Sequence, residues 1–228
     1  MKRAKSPKLY SANRPISVVV LISGRGSNLQ ALVRSQQANK IDIKIAGVIS
    51  NRADAVGLAF AKENNIPTTV VDSTNFGSRS DYDRELIREI DQNRPELVIL
   101  AGFMRILSSE FVRHYRGRLI NIHPSLLPHF KGLHTHQQAL DAGAKEHGAS
   151  VHYVTEELDG GPVFLQAKIP VLNSDNAASL ANRVLEREHQ LYPAAVQLIA
   201  NGRIQLVDEK LLFDQTPIDE PIQLDTIS

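Results

Sequence analysis

The chain has 228 residues, a formal net charge of +1 and no cysteine. That length suits one α/β domain or two small ones with a substantial core, and the near-zero charge argues against a nucleic-acid or anionic-membrane partner. The missing thiols exclude disulfides, a cysteine nucleophile and a cysteine zinc site, and no apolar run reaches the length of a membrane span.

Residues 1–15 read as a flexible basic extension, with Lys2, Arg3, Lys5, Lys8 and Arg14. The segment lacks the apolar core of a secretory signal. Together with the absence of disulfides this points to the cytoplasm.

Ile16–Ser23 is an unbroken β-branched run, the pattern of a buried parallel strand. A Gly24–Ser27 turn leads into a helix over Asn28–Gln37. A second strand, Lys44–Ser50, precedes a helix over Ala53–Asn64. Pro67–Val71 is a short third strand, and Ser80–Asn93 a helix with Leu86, Ile87 and Ile90 inward. Leu97–Ala101 is the fourth strand, and Ser108 caps a short helix through His114. Leu119–His123 is the fifth strand. Beyond Pro124 a helix is expected at Gln137–Ala142. Ala149–Val154 and Val163–Val171 read as an antiparallel strand pair. Asn176–Ala200 is a long helix in which Pro193 marks a kink or break. The tail 214–228 is expected to loop over the surface. This βα alternation specifies one domain, 16–213: a doubly wound, mostly parallel sheet with antiparallel strands in the C-terminal half.

Three segments carry candidate chemistry. The turn Ser23-Gly24-Arg25-Gly26-Ser27-Asn28-Leu29 offers two glycines, a helix N-terminus and the polar groups of Ser27 and Asn28. That suits a phosphate. It is neither a dinucleotide fingerprint, since Leu29 replaces the third glycine, nor a Walker loop. Next, Asn121 and His123 stand at i and i+2 of a strand and so share a face. Pro124 then ends the strand. An amide and an imidazole side by side suit a developing oxyanion, and a carboxylate would orient the imidazole and favour its charged form. Asp159, in Asp-Gly-Gly-Pro, is placed to supply it, although such a string is also an ordinary turn. Finally, Gly102–Leu107 supplies flexible apolar residues at a strand end, suited to a flat ligand or to loop packing. His134-Thr135-His136 has no clustered carboxylate, so no metal is expected. His152 reads as a structural histidine. Glu188 reads as a solvated residue unless it turns inwards, where it would meet an amine.

Taken in order, Gly24–Asn28, Gly102–Leu107, Asn121–Pro128, His134–His136 and Asp159–Pro162 resemble the folate-dependent glycinamide ribonucleotide formyltransferase family over roughly residues 16–213. The resemblance implies an enzyme of purine biosynthesis that passes the formyl group of 10-formyltetrahydrofolate to the amine of 5′-phosphoribosylglycinamide, without a metal. It assigns Asn121, His123 and Asp159 to catalysis. It assigns Gly26, Ser27, Asn28, Arg79 and Glu188 to the ribonucleotide, with Glu188 on the amine. It assigns Met104, Arg105, Ile106, Leu107, Asn121, Val154 and Asp159 to the folate, with Arg105 toward its glutamate tail. His134 would help close the site, and Arg25 adds charge where relatives carry smaller residues. Only small-molecule partners are implied, with a monomer or weak homodimer. Rival members of the wider superfamily are methionyl-tRNA formyltransferase, which carries a further tRNA-gripping domain, and formyltetrahydrofolate hydrolase, which carries an extra regulatory one. A folate- or nucleotide-binding module without catalysis would not need the three catalytic residues.

Overall fold

The structure, a computed structural model, describes residues 14–227, so the expectation for most of the basic extension lies outside the described residues. The first half alternates β1 (Ile16–Ile22), α1 (Ser27–Gln37), β2 (Ile43–Ser50), α2 (Val56–Glu63), β3 (Thr68–Val70), α3 (Arg79–Asp91), β4 (Leu97–Leu100), α4 (Ser109–His114) and β5 (Leu119–His123). Then come α5 (Thr135–Asp141), β6 (Glu146–Tyr153), β7 (Val163–Pro170), α6 (Ala177–Ala200) and the short strands β8 (Ile204–Val207), β9 (Lys210–Phe213), β10 (Thr216–Pro217) and β11 (Ile222–Gln223).

Eight strands form one sheet in the order β11-β7-β6-β5-β4-β1-β2-β3, and β8–β10 form a small antiparallel sheet. In the large sheet β6 alone is reversed among the described residues, pairing antiparallel with both β5 and β7. Alternation within β1 decides the two layers. Val18, Val20 and Ile22 pack with Leu29 and Leu32 of α1 and Val184 and Leu191 of α6. Val19 and Leu21 pack with Leu86 and Ile90 of α3 and Phe111 of α4. Both faces are covered, as a parallel sheet requires.

Two expectations need correction. The chain beyond Phe213 does not simply loop over the surface. Thr216–Pro217 pairs with β9, and Ile222–Gln223 lies parallel to β7 and extends the large sheet. Two-residue strands are too short for any periodicity to announce them. Nor does Pro193 break α6, which runs 24 residues through it. Tyr192 and Pro193 are buried there, and the Tyr192 hydroxyl donates to the Leu100 carbonyl at 2.8 Å. Packing of this turn on the sheet outweighs the lost helical hydrogen bond.

β1 lies between β4 and β2, so the connections leaving β1 and β4 run to opposite faces. The crevice between them, at the carboxyl ends of the strands, is where such sheets bind ligands.

Candidate active site

Asn121 and His123 project from one face of β5, while Ile122 between them is buried in the core. His123 is 6% exposed. Its Nε2 lies 3.1 Å from the Phe130 carbonyl, which can only accept, so that nitrogen carries a proton. Its Nδ1 faces Asp159 Oδ2 at 3.5 Å, longer than a full-strength hydrogen bond. Such gaps are usual in catalytic sites without substrate.

The loop that carries Phe130 is fixed from below. Ser125 Oγ donates to the His129 carbonyl, the Ser150 hydroxyl donates to the Ser125 carbonyl, and buried Gln166 donates to the Leu127 carbonyl. The imidazole therefore has little freedom to rotate.

Asp159 adopts a left-handed conformation, φ 49°, which aspartate tolerates. Its Oδ2 accepts from the Gly132 N–H at 2.9 Å, and its Oδ1 lies 4.0 Å from His152 Nε2. Gly161, two residues on, presses against β6. A Cβ there would sit 1.8 Å from the Tyr153 carbonyl oxygen. This close approach, rather than turn propensity alone, is the physical demand for glycine.

His152, read from the sequence as a structural histidine, is buried and hydrogen-bonded. It stands opposite Asn121 in the β5–β6 register. Its Nδ1 donates to the Tyr153 carbonyl at 3.1 Å, so Nε2 is the bare nitrogen, and Asn121 Nδ2 donates to it at 3.3 Å. Burial pushes the His152 pKa down to about 4, keeping the ring neutral and in this role. The second Nδ2 proton of Asn121 remains available. The sequence held no sign of the pairing, which depends on register.

In the first βα turn Gly26 has φ 70° and no side chain caps α1, so first-turn N–H groups face the crevice. Gly57 at the start of α2 touches this turn; its N–H donates to the Gly24 carbonyl at 3.0 Å. The Asn28 side-chain amide donates to Glu188 Oε2 at 2.8 Å, and its buried Oδ1 has no partner. The packing of α6 on α1 creates this contact. Glu188 accordingly faces inwards, 7% exposed, and burial raises its pKa to about 7 against the opposing Asn28 hydrogen bond. Arg79 is exposed at the start of α3. Among the described residues no hydrogen bond or ion pair joins it to Gly26–Asn28. Arg25 is also exposed.

After β4, Met104 and Ile106 are 71% and 60% exposed, whereas Leu107 and Val154 pack against the α3–α4 core. The loop thus offers apolar surface and is anchored at its ends. The Arg105 guanidinium lies 4.4 Å over the ring of buried Tyr82, a cation–π contact that holds it flat. His134 is exposed and left-handed, φ 58°, at the N-terminus of α5, and makes no bond to Asp159. Among the described residues no group of three or more His, Cys, Asp or Glu side chains is placed to hold a metal ion. Among the described residues no helix is long and apolar enough to cross a membrane.

Residues 16–196 match the family model described as formyl transferase. The chain is 53% identical to phosphoribosylglycinamide formyltransferase of Escherichia coli (strain K12) over 199 residues, covering 87% of this chain and 94% of that one. It is 47% identical to a trifunctional purine biosynthetic protein adenosine-3 of Drosophila pseudoobscura pseudoobscura, covering 90% of this chain but spanning only 15% of that longer protein. The solved phosphoribosylglycinamide formyltransferase of Coxiella burnetii superposes with a TM-score of 0.87 at 47% identity, covering 90% of this chain and 96% of that one.

Proposed function

The chain belongs to the formyl transferase family, and from that premise we propose that it formylates the amine of 5′-phosphoribosylglycinamide in purine biosynthesis, with 10-formyltetrahydrofolate as donor. The observation that carries the reading is the linkage of Asn121, His123 and Asp159 through close contacts: His123 and His152 both face the Asp159 carboxylate, Asn121 donates to His152, and His123 is held by the Phe130 carbonyl.

The residues act as follows. The attacking nitrogen forms a bond to the formyl carbon, and the carbonyl oxygen becomes an oxyanion. The free Nδ2 proton of Asn121 donates to that charge, and His123, once a second proton sits on the Nδ1 that faces Asp159, stabilises it beside the amide. Asp159 orients His123 and carries the proton lost by the amine toward the folate N10, from which the formyl carbon then breaks. The Gly26–Asn28 turn meets the phosphate with backbone N–H groups and the Ser27 hydroxyl, and Arg79 adds charge. Glu188, aimed by Asn28, accepts from the glycinamide amine as it enters. Met104, Ile106, Leu107 and Val154 flank the folate, and Arg105 faces its glutamate carboxylates, for which a guanidinium fork is well shaped. The substrates are small molecules, and the protein works as a monomer or weak homodimer in the cytoplasm without a metal.

The test is a purified-protein assay with 10-formyltetrahydrofolate, with and without the ribonucleotide. Equal amounts of formylated product and tetrahydrofolate, formed only when the ribonucleotide is present, are expected. Tetrahydrofolate released without it would make water the acceptor and refute the transferase.

A further inference from the structure

We propose that Ser23 is a positioning residue that couples the two substrate loops, so that filling the turn after β1 preorganises the loop after β4, and the reverse. The inference rests on the function proposed above and adds to it a thermodynamic link between the two sites.

Ser23 directly follows β1, at the point where the connections diverge, and it is 8% exposed. Three hydrogen bonds tie it to other segments. Its N–H donates to the Gly102 carbonyl at 3.1 Å. Its Oγ accepts from the Met104 N–H at 2.8 Å. Its hydroxyl proton goes to Asn51 Oδ1, just past β2, at 2.5 Å. Asn51 is itself buried, so the hydroxyl has a single orientation and full partners on both sides.

The loop 102–108 has no regular secondary structure of its own. Its far end is held by the Ser108 N–H on Asp83 Oδ2 at 2.6 Å, and its middle by Arg105 on Tyr82. The Met104 side chain is exposed and anchors nothing, so the backbone at Met104 is placed by its bond to Ser23. The next residue after Ser23 is Gly24, the first of the phosphate turn, whose carbonyl is pinned by α2. One residue thus belongs to both loops: through the peptide chain to one and through two hydrogen bonds to the other. A ligand that stiffens the turn narrows the positions open to Ser23, and so to Met104. Because coupling between binding sites is reciprocal, the folate must return the same factor to the ribonucleotide.

The experiment is calorimetric binding of glycinamide ribonucleotide with and without saturating tetrahydrofolate, which lacks the formyl group and permits no turnover. In the unsubstituted protein each ligand is expected to tighten the other by the same factor, about 10-fold. Ser23→Ala, which removes both Oγ bonds but fits the space, is expected to bring that factor to about 1, and Ser23→Thr to restore it. A merely structural serine would weaken each ligand alone and leave the factor unchanged, which would overturn the proposal, as would a factor of 1 in the unsubstituted protein. Failure of the unsubstituted protein to bind either ligand would instead refute the function itself, and the coupling with it. If Ser23→Ala does not fold, hydrogen exchange decides. The ribonucleotide alone must slow exchange in residues 102–104 of the unsubstituted protein, and unchanged exchange there overturns the coupling.

Discussion

Asn121 Nδ2 donates to the bare Nε2 of His152 across the β5–β6 pair at 3.3 Å, and the neutrality of that buried histidine is what makes the bond possible. A protonated ring would present N–H to N–H and turn the amide away. The first prediction is that His152→Leu, similar in volume but without an acceptor, lowers kcat about 5- to 10-fold, roughly the worth of one neutral hydrogen bond. Substrate KM values should change less. Steady-state kinetics on the folded variant check it; an unchanged kcat would mean that Asn121 needs no help to hold its orientation.

Asp159→Asn keeps shape and the bond from Gly132 but removes the charge facing His123. Turnover is expected to fall on the order of 10²–10³-fold, as does loss of an oxyanion donor by Asn121→Ala. Because the three residues act on one transition state, the double variant should fall well short of the product of the single effects.

The role proposed for Glu188 would tie ribonucleotide binding to pH. Burial raises its carboxyl to about 7. Binding that needs the carboxylate should tighten as pH rises through that value, and Glu188→Gln should abolish this limb while raising KM. The effect on folding has the opposite sense. The folded carboxyl holds its proton more tightly than the ordinary value of 4.5, so between about 4.5 and about 7 the native state binds more protons, and stability falls as pH rises. Chemical unfolding of Glu188→Gln across that window should lack the slope.

His136 and His147 have the reverse sign. Their rings meet at 3.1 Å, and burial lowers both pKa values, that of His147 to about 4. Their contribution is fully present above about pH 6.5 and is lost as pH falls toward about 4. Since His136 lies on α5 and His147 on β6, the hydrogen-exchange protection factors of residues 135–141, taken against the intrinsic rate at each pH, should fall over that range. Protection factors that stay flat down to pH 4 would show that the pair does not hold α5.

Gly161→Ala would force a Cβ to 1.8 Å from the Tyr153 carbonyl oxygen. The turn bearing Asp159 must shift, at about 1–3 kcal/mol. For a chain of this size that lowers Tm by roughly 2–4 °C per kcal/mol. Because Asp159 moves with the turn, kcat should fall more steeply than stability, measured by thermal melting and kinetics on the same sample.

The sequence by itself determined the architecture where periodicity is long: the apolar run of β1, the alternation of strand and helix through β5, and the helical stripe of α6. It also placed Asn121 and His123 on one face, because i and i+2 in a strand leave no choice. Contacts between segments distant in the chain were decided only by tertiary structure. His152 meets Asn121 through antiparallel register; Glu188 meets Asn28 through the packing of α6 on α1, 160 residues apart. β11 exists because an edge of β7 was there to pair with. Local pattern reports which face of an element is apolar, but the partner of a polar side chain depends on which elements the hydrophobic core brings together.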